Sequence, residues 1–225
     1  MKRAWAVLAL LAPAVVMAAD LTAAELRWLR AGLPVLNFAR QQGLPVDVVV
    51  QPQEAAGQAP MAMDYVDGRC KLVLSMRGNP AAGAALEAAP PELHEVVMEA
   101  VTAHEVAHCW RHAHGRWNAV PAGFAESNLA GDAVTRNAWH AMRATRREEG
   151  YADLAGLAWT LRRHPRLYSQ VHDWFLRVRD HEPVTGSHHD TRTWLRLAAD
   201  PSALDPAANP FEHVHGLWEH GLQAP

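Results

Sequence analysis

The chain has 225 residues, with 21 Lys and Arg against 24 Asp and Glu, a net charge of −3. That balance leaves no basic face, so nucleic acid is excluded as a partner, and the length suits one domain with a substantial core.

Residues 1–19 read as a secretory signal: Lys2 and Arg3, an apolar run from Ala4 to Val16, then small residues at a cleavage site near Ala18. The run is short of the ~20 apolar residues of a membrane span and Pro13 interrupts it. The expectation is an exported chain, periplasmic or secreted, with no transmembrane segment after cleavage and a single domain over residues 20–225. Such a chain can oxidise its only two cysteines, Cys70 and Cys109. A possible disulfide between them would staple a strand to the helix discussed below; two buried free thiols are the other reading.

Residues 22–41 have helical apolar spacing, and Pro34 predicts a kink or split. Residues 44–51, "LPVDVVVQ", read as a strand. "MAMDYV" and "RCKLVLSM" flank Asp67-Gly68, a two-residue hairpin signal. Together they predict a small antiparallel sheet. After a linker, the pattern predicts a helix from Glu92 to His114, stopped by Gly115. A long loop, 115–131, precedes one or two helices over 132–164 and another over 165–180. Residues 181–190 read as a loop and 191–199 as a short helix. The proline-containing tail from about 200 reads as irregular. A small sheet followed by helices is an α+β pattern.

The chemistry is concentrated at "HEVAH", residues 104–108. Residues four apart lie on one helix face, so His104 and His108 can direct two imidazoles at one ion. Glu105, offset by one position, borders that ion without ligating it and is placed to act as a base toward a water that Zn2+ acidifies. A catalytic zinc takes three protein ligands and keeps one position open. His114 stands at a third-ligand offset, but Arg111 occupies the place of the glycine that would turn the chain toward the metal. The alternative source is "RREEGYADLAGL", where Glu149 is followed one turn later by Asp153. Glu149 can ligate, while Asp153 accepts the free N–H of a ligating imidazole, that of His104. Glu148, the rival ligand, has only Ala152 one turn on.

These motifs resemble those of the gluzincin metallopeptidases, closest to the HtpX-like and CAAX prenyl endopeptidase type, through "TAHEVAH", then Glu149-x-x-Ala152-Asp153, then "SHHDT" at 187–191. His189 stands where that family has proline. The resemblance implies a zincin-like fold, one Zn2+ per chain and hydrolysis of a peptide or protein substrate. It further implies that His188 is catalytic, donating to the developing oxyanion, and that the hairpin strand 69–76 edges the cleft and pairs with an extended peptide. Two rival readings are a non-catalytic zinc- or peptide-binding module of the same fold and a histidine-rich metal buffer.

Among other residues, Tyr151 is expected in packing, His94 and His140 at the surface or satisfied in the core, and His112 too far along its helix to ligate. The tail "EHVHGLWEH" offers a weak second metal cluster. The tryptophans, Trp110, Trp117, Trp139, Trp159 and Trp174 among them, are expected to fill a core between helices.

Overall fold

A computed structural model describes residues 21–52, 59–126, 131–180 and 187–223; the signal reading at 1–19 lies outside the described residues. Helix α1 (Ala23–Gln41) begins at a reciprocal cap. Thr22 Oγ1 accepts the Glu25 N–H at 3.2 Å, and Glu25 accepts the Thr22 N–H at 2.7 Å. The helix runs through Pro34 without the expected split. Proline deletes a single donor there, and the buried face formed by Trp28, Val35, Leu36 and Ala39 keeps both halves seated on the core.

Three strands follow, β1 (Val46–Pro52), β2 (Met61–Val66) and β3 (Arg69–Arg77), in the order β1-β3-β2. β2 and β3 form the expected hairpin, with Asp67 and Gly68 both at positive φ, 53° and 73°. The sheet is mixed rather than antiparallel, because β1 pairs in parallel with β3. Lying on the far side of β3, β1 runs antiparallel to β2. β3 is therefore the central strand, with Cys70, Leu72 and Leu74 buried, and both of its edges are taken. That corrects the expectation for 69–76: the outer strands are β1 and β2, and it is β2 that borders the cavity described below.

Beyond a short helix α2 (Ala81–Glu87), α3 (His94–Ala113) is the axis of the molecule, packing on α1, α4 and the sheet. It ends where expected, at Gly115 with φ 64°. Helix α4 (Ala133–Arg163) is one continuous helix, begun by Asp132 accepting the Thr135 N–H at 2.8 Å. Where α3 meets α4 the buried residues are small: Ala100, Ala103 and Ala107 against Ala152, Ala155 and Gly156. A Cβ at Gly156 would lie 3.0 Å from the Ala100 carbonyl oxygen, so the glycine permits the close approach. That spacing brings acids on α4 within reach of imidazoles on α3.

Helices α5 (Tyr168–Asp180) and α6 (Arg192–Leu197) complete the packing around α4. The tail is helical, not irregular: α7 (Pro210–His213) and α8 (His215–Leu222) bury Phe211, Val214 and Trp218 completely. Pro210 opens α7 rather than breaking it, and each large apolar side chain taken from water is worth roughly 1.5–3 kcal/mol. The tryptophans divide. Trp110, Trp159 and Trp174 are core residues, whereas Trp117 and Trp139 are half-buried outside it. The architecture is thus mixed α and β, mostly helical with a three-stranded sheet. Among the described residues no helix is long and apolar enough to cross a membrane.

Candidate metal centre

His104 and His108 project from one face of α3, their Nε2 atoms 3.2 Å apart and their rings perpendicular. Glu149 reaches them from α4: one carboxylate oxygen lies 3.4 Å from His104 Nε2 and the other 3.4 Å from His108 Nε2. These three side chains form a group able to hold a metal ion, and among the described residues no other such group occurs. The fit can be tested by geometry. A tetrahedron whose donors sit ~2.0–2.1 Å from a central zinc has edges of about 3.3–3.4 Å. The imidazole pair, at 3.2 Å, is close to that edge length, and Glu149 straddles it with one oxygen toward each ring. Taken with one oxygen of Glu149, the donor atoms lie within 4.8 Å of one another, so a modest turn of the carboxylate completes three corners.

The surroundings demand positive charge at that point. His104 Nδ1 lies 2.9 Å from Asp153 Oδ1, and since a carboxylate only accepts, Nδ1 carries the proton and Nε2 faces the ligand position. Burial alone would lower the His104 pKa, but Asp153 and Glu149 reverse this and raise it to about 10. A site that holds a proton so firmly favours a cation there, and a metal ion meets the same demand by displacing it. Glu149, despite burial, is held well below the usual carboxylate range by hydrogen bonds from both imidazoles. Asp153 is likewise driven down, against burial, by Arg179 and His104.

Glu105 is half-buried and lines the same cavity. Burial pushes its carboxyl up from 4.5, offset in part by the two imidazoles, which moves it toward the range useful to a general base. The cavity has a volume of about 490 Å3. One wall is the outer strand β2, from Met61 to Tyr65; the other is α3 with Trp174, Phe175 and Val178 of α5. The disulfide Cys70–Cys109, with Cα atoms 5.6 Å apart, ties β3 to α3 at the residue after His108.

Several expectations are resolved by placement. Glu148, next to the ligand, is turned away by the helical rotation of one residue and pairs with buried Arg111, Oε2 to Nε 2.5 Å. Arg111 thus occupies the glycine position of the extended motif for a structural reason. His114 folds back on Trp110, its ring 4.2 Å away, and takes no part in the site. Tyr151 packs, donating its hydroxyl to the Phe211 carbonyl. His94 and His140 have ordinary partners, the Ala89 carbonyl at 3.0 Å and Glu126 at 2.7 Å. In the tail, His213 accepts the Asp205 N–H at 2.9 Å and His215 pairs with Glu219 at 3.2 Å, so the histidines there diverge.

His188 is not the histidine of the 187–191 stretch that lines the cavity. It is exposed, and His189 lines the cavity with Nε2 3.9 Å from a Glu149 oxygen. The turn at 187–190, which brings Asp190 inward to Arg192 at 2.7 Å, sets that phase. Two contributors carried no expectation. Arg179, from the end of α5, donates to Asp153 at 2.7 and 2.9 Å and to Glu149 at 3.4 Å. Thr191 donates its hydroxyl to Asp153. Thr191 closes the "SHHDT" stretch and was findable there, whereas no motif marks Arg179.

Comparison with protein-family models, with curated proteins and with solved structures finds no match to this chain. The functional reading therefore stands on the residues and their geometry.

Proposed function

We propose that the protein is an exported zinc metallopeptidase of zincin-like fold, in which His104, His108 and Glu149 hold one zinc ion and Glu105 is the general base. The observation that carries the reading is the convergence of two imidazole nitrogens 3.2 Å apart with the Glu149 carboxylate, one oxygen 3.4 Å from each, and Glu105 beside them in a cleft bordered by β2. Held by these three side chains, zinc would supply an acidified water and Lewis-acid polarisation of a carbonyl. Glu105 takes the proton and returns it to the leaving amine. Asp153 holds His104 in the ligating tautomer, and Arg179 holds both Asp153 and Glu149. His189, rather than His188, is placed to donate to the carbonyl oxygen as negative charge develops. The β2 edge offers backbone groups to an extended peptide. The disulfide fits an oxidising compartment, in keeping with an export signal at 1–19.

The test is Glu105→Gln. Zinc should remain at one per chain while hydrolysis of a mixed peptide library falls by at least ~10²-fold. Native protein that binds zinc tightly yet cleaves nothing in that library is a binding module, and several weakly bound ions per chain would mark a metal buffer.

A further inference from the structure

The two imidazoles of the centre are oriented by different means. His104 has its Nδ1 fixed by Asp153, which Arg179 and Thr191 hold in turn. His108 Nδ1 is buried and, among the described residues, has no hydrogen-bond partner. Rings bracket it instead: His104 on one side, and Trp117, 5.6 Å away at 75°, on another. We propose that Trp117 is the positioning residue for His108, doing by ring packing what Asp153 does for His104 by hydrogen bonding.

Trp117 is itself held by a stack of rings and by its backbone neighbours. Its ring lies flat on His112 at 4.0 Å, and His112 stacks on Tyr65 of β2 at 5.3 Å. Its backbone neighbours are anchored to the two ligand-bearing helices. The Asn118 N–H donates to Glu148 at 2.9 Å, and Arg111 Nη2 donates to the Ala119 carbonyl at 3.1 Å. Asn118 takes positive φ, 58°, to make that turn. The buried Arg111–Glu148 pair therefore places a loop residue against a ligand with the precision of the helices themselves. A half-exposed tryptophan outside the main core has its reason in this contact. The ring packing limits the tilt and swing of the His108 imidazole plane, so less orientation is lost when an ion binds.

The inference rests on the proposed reading for the ion at His104, His108 and Glu149, and not for turnover. The measurement is zinc affinity by competition with a chromophoric chelator, with the visible spectrum of the cobalt-loaded protein as a second readout. Trp117→Ala and Trp117→Leu should each weaken zinc about 10–100-fold and alter the cobalt spectrum, with Asp153→Ala as a yardstick of the same order. Trp117→Phe, which keeps a flat ring, should restore affinity to within about threefold. Leucine keeps bulk without the ring, so it decides the matter should the alanine variant fail to fold. Zinc affinity within about twofold of native in Trp117→Leu, with an unchanged cobalt spectrum, overturns the proposal. Native protein that binds no zinc overturns it together with the proposed function, whereas native protein that binds zinc without hydrolysing peptide removes the function alone and leaves the Trp117 comparison to be read as above.

Discussion

The two halves of α4 share one helix and obey opposite rules. From Ala133 to Thr145 the residues are exposed or half-buried, with Val134 77% exposed. Their arginines reach only nearby partners, such as Glu126 for Arg143 at 3.2 Å. From Glu148 to Leu161 almost every residue is buried, yet this half retains three carboxylates, Glu148, Glu149 and Asp153. Moving an ion out of water costs several kcal/mol unless opposite charge and hydrogen bonds replace the water. Two of the three acids are answered by arginines, Glu148 by Arg111 and Asp153 by Arg179. Glu149 is answered mainly by two imidazoles, whose positive charge must come from protons or from a metal ion. Glu149 thus differs from the other two in sharing its arginine: Arg179 approaches it at 3.4 Å but makes its shorter bonds, 2.7 and 2.9 Å, to Asp153.

The contrast breaks most visibly at Glu148. Glu148→Ala leaves the Arg111 guanidinium buried between the Tyr151 and Trp218 rings, 4.6 and 4.4 Å from their centroids, without its counter-charge. The expected loss is roughly 3–5 kcal/mol in urea unfolding. Replacing both partners, Arg111→Met with Glu148→Leu, should recover most of it. A single variant as stable as native would mean that burial in this half carries no such demand.

How much of this was readable beforehand follows the range of each interaction. The His104–His108 pairing and the Glu149–Asp153 pairing are set by helical periodicity, which is local, so spacing alone exposed them. The choice of Glu149 over Glu148 was also local, because only Glu149 has an acid one turn later. The β1 partner was not legible: alternation marks a strand but carries no information about its neighbour. Arg179 was invisible for the same reason, since only tertiary packing carries the end of α5 to Asp153. The tail misled because Pro201 and Pro210, read as breakers, open a short 3-10 turn and α7. Which histidine of the 187–191 stretch faces the cavity was not legible either, since loop phase depends on where Asp190 and Thr191 are anchored rather than on motif register.

Glu25 carries the same rule to α1 and makes it dependent on pH. Its carboxylate is wholly buried and pairs with Arg77 through bonds of 2.8 and 2.9 Å. Arg77, outweighing the burial, holds its pKa near 2 against 4.5 for the free residue. A depressed folded-state pKa contributes stability that is fully present above about 4.5 and lost as pH falls toward about 2. Melting temperatures of native protein and Glu25→Gln, compared from neutral pH downward, should differ most at pH 6–7 and converge as the acid limb is crossed. A gap that stays constant to pH 2.5 would assign the stabilisation to something other than the carboxylate charge.

The smallest effect is expected in the exposed half of α4, and its sign is informative. Val134→Ala removes a side chain that buries little, so no cavity results. The branched Cβ of valine costs side-chain freedom in a helix, and alanine is the better helix former by up to ~0.7 kcal/mol. The variant should therefore be slightly more stable, by a few tenths of a kcal/mol and within the ~0.5 kcal/mol typical of surface changes. In the buried half the same logic reverses: Leu157, with no exposed surface, has nothing to gain from truncation and a cavity to leave behind. A loss of more than about 1 kcal/mol at Val134, in a denaturation that depends on protein concentration, would mean that the first half of the helix is covered in solution by another copy of the chain.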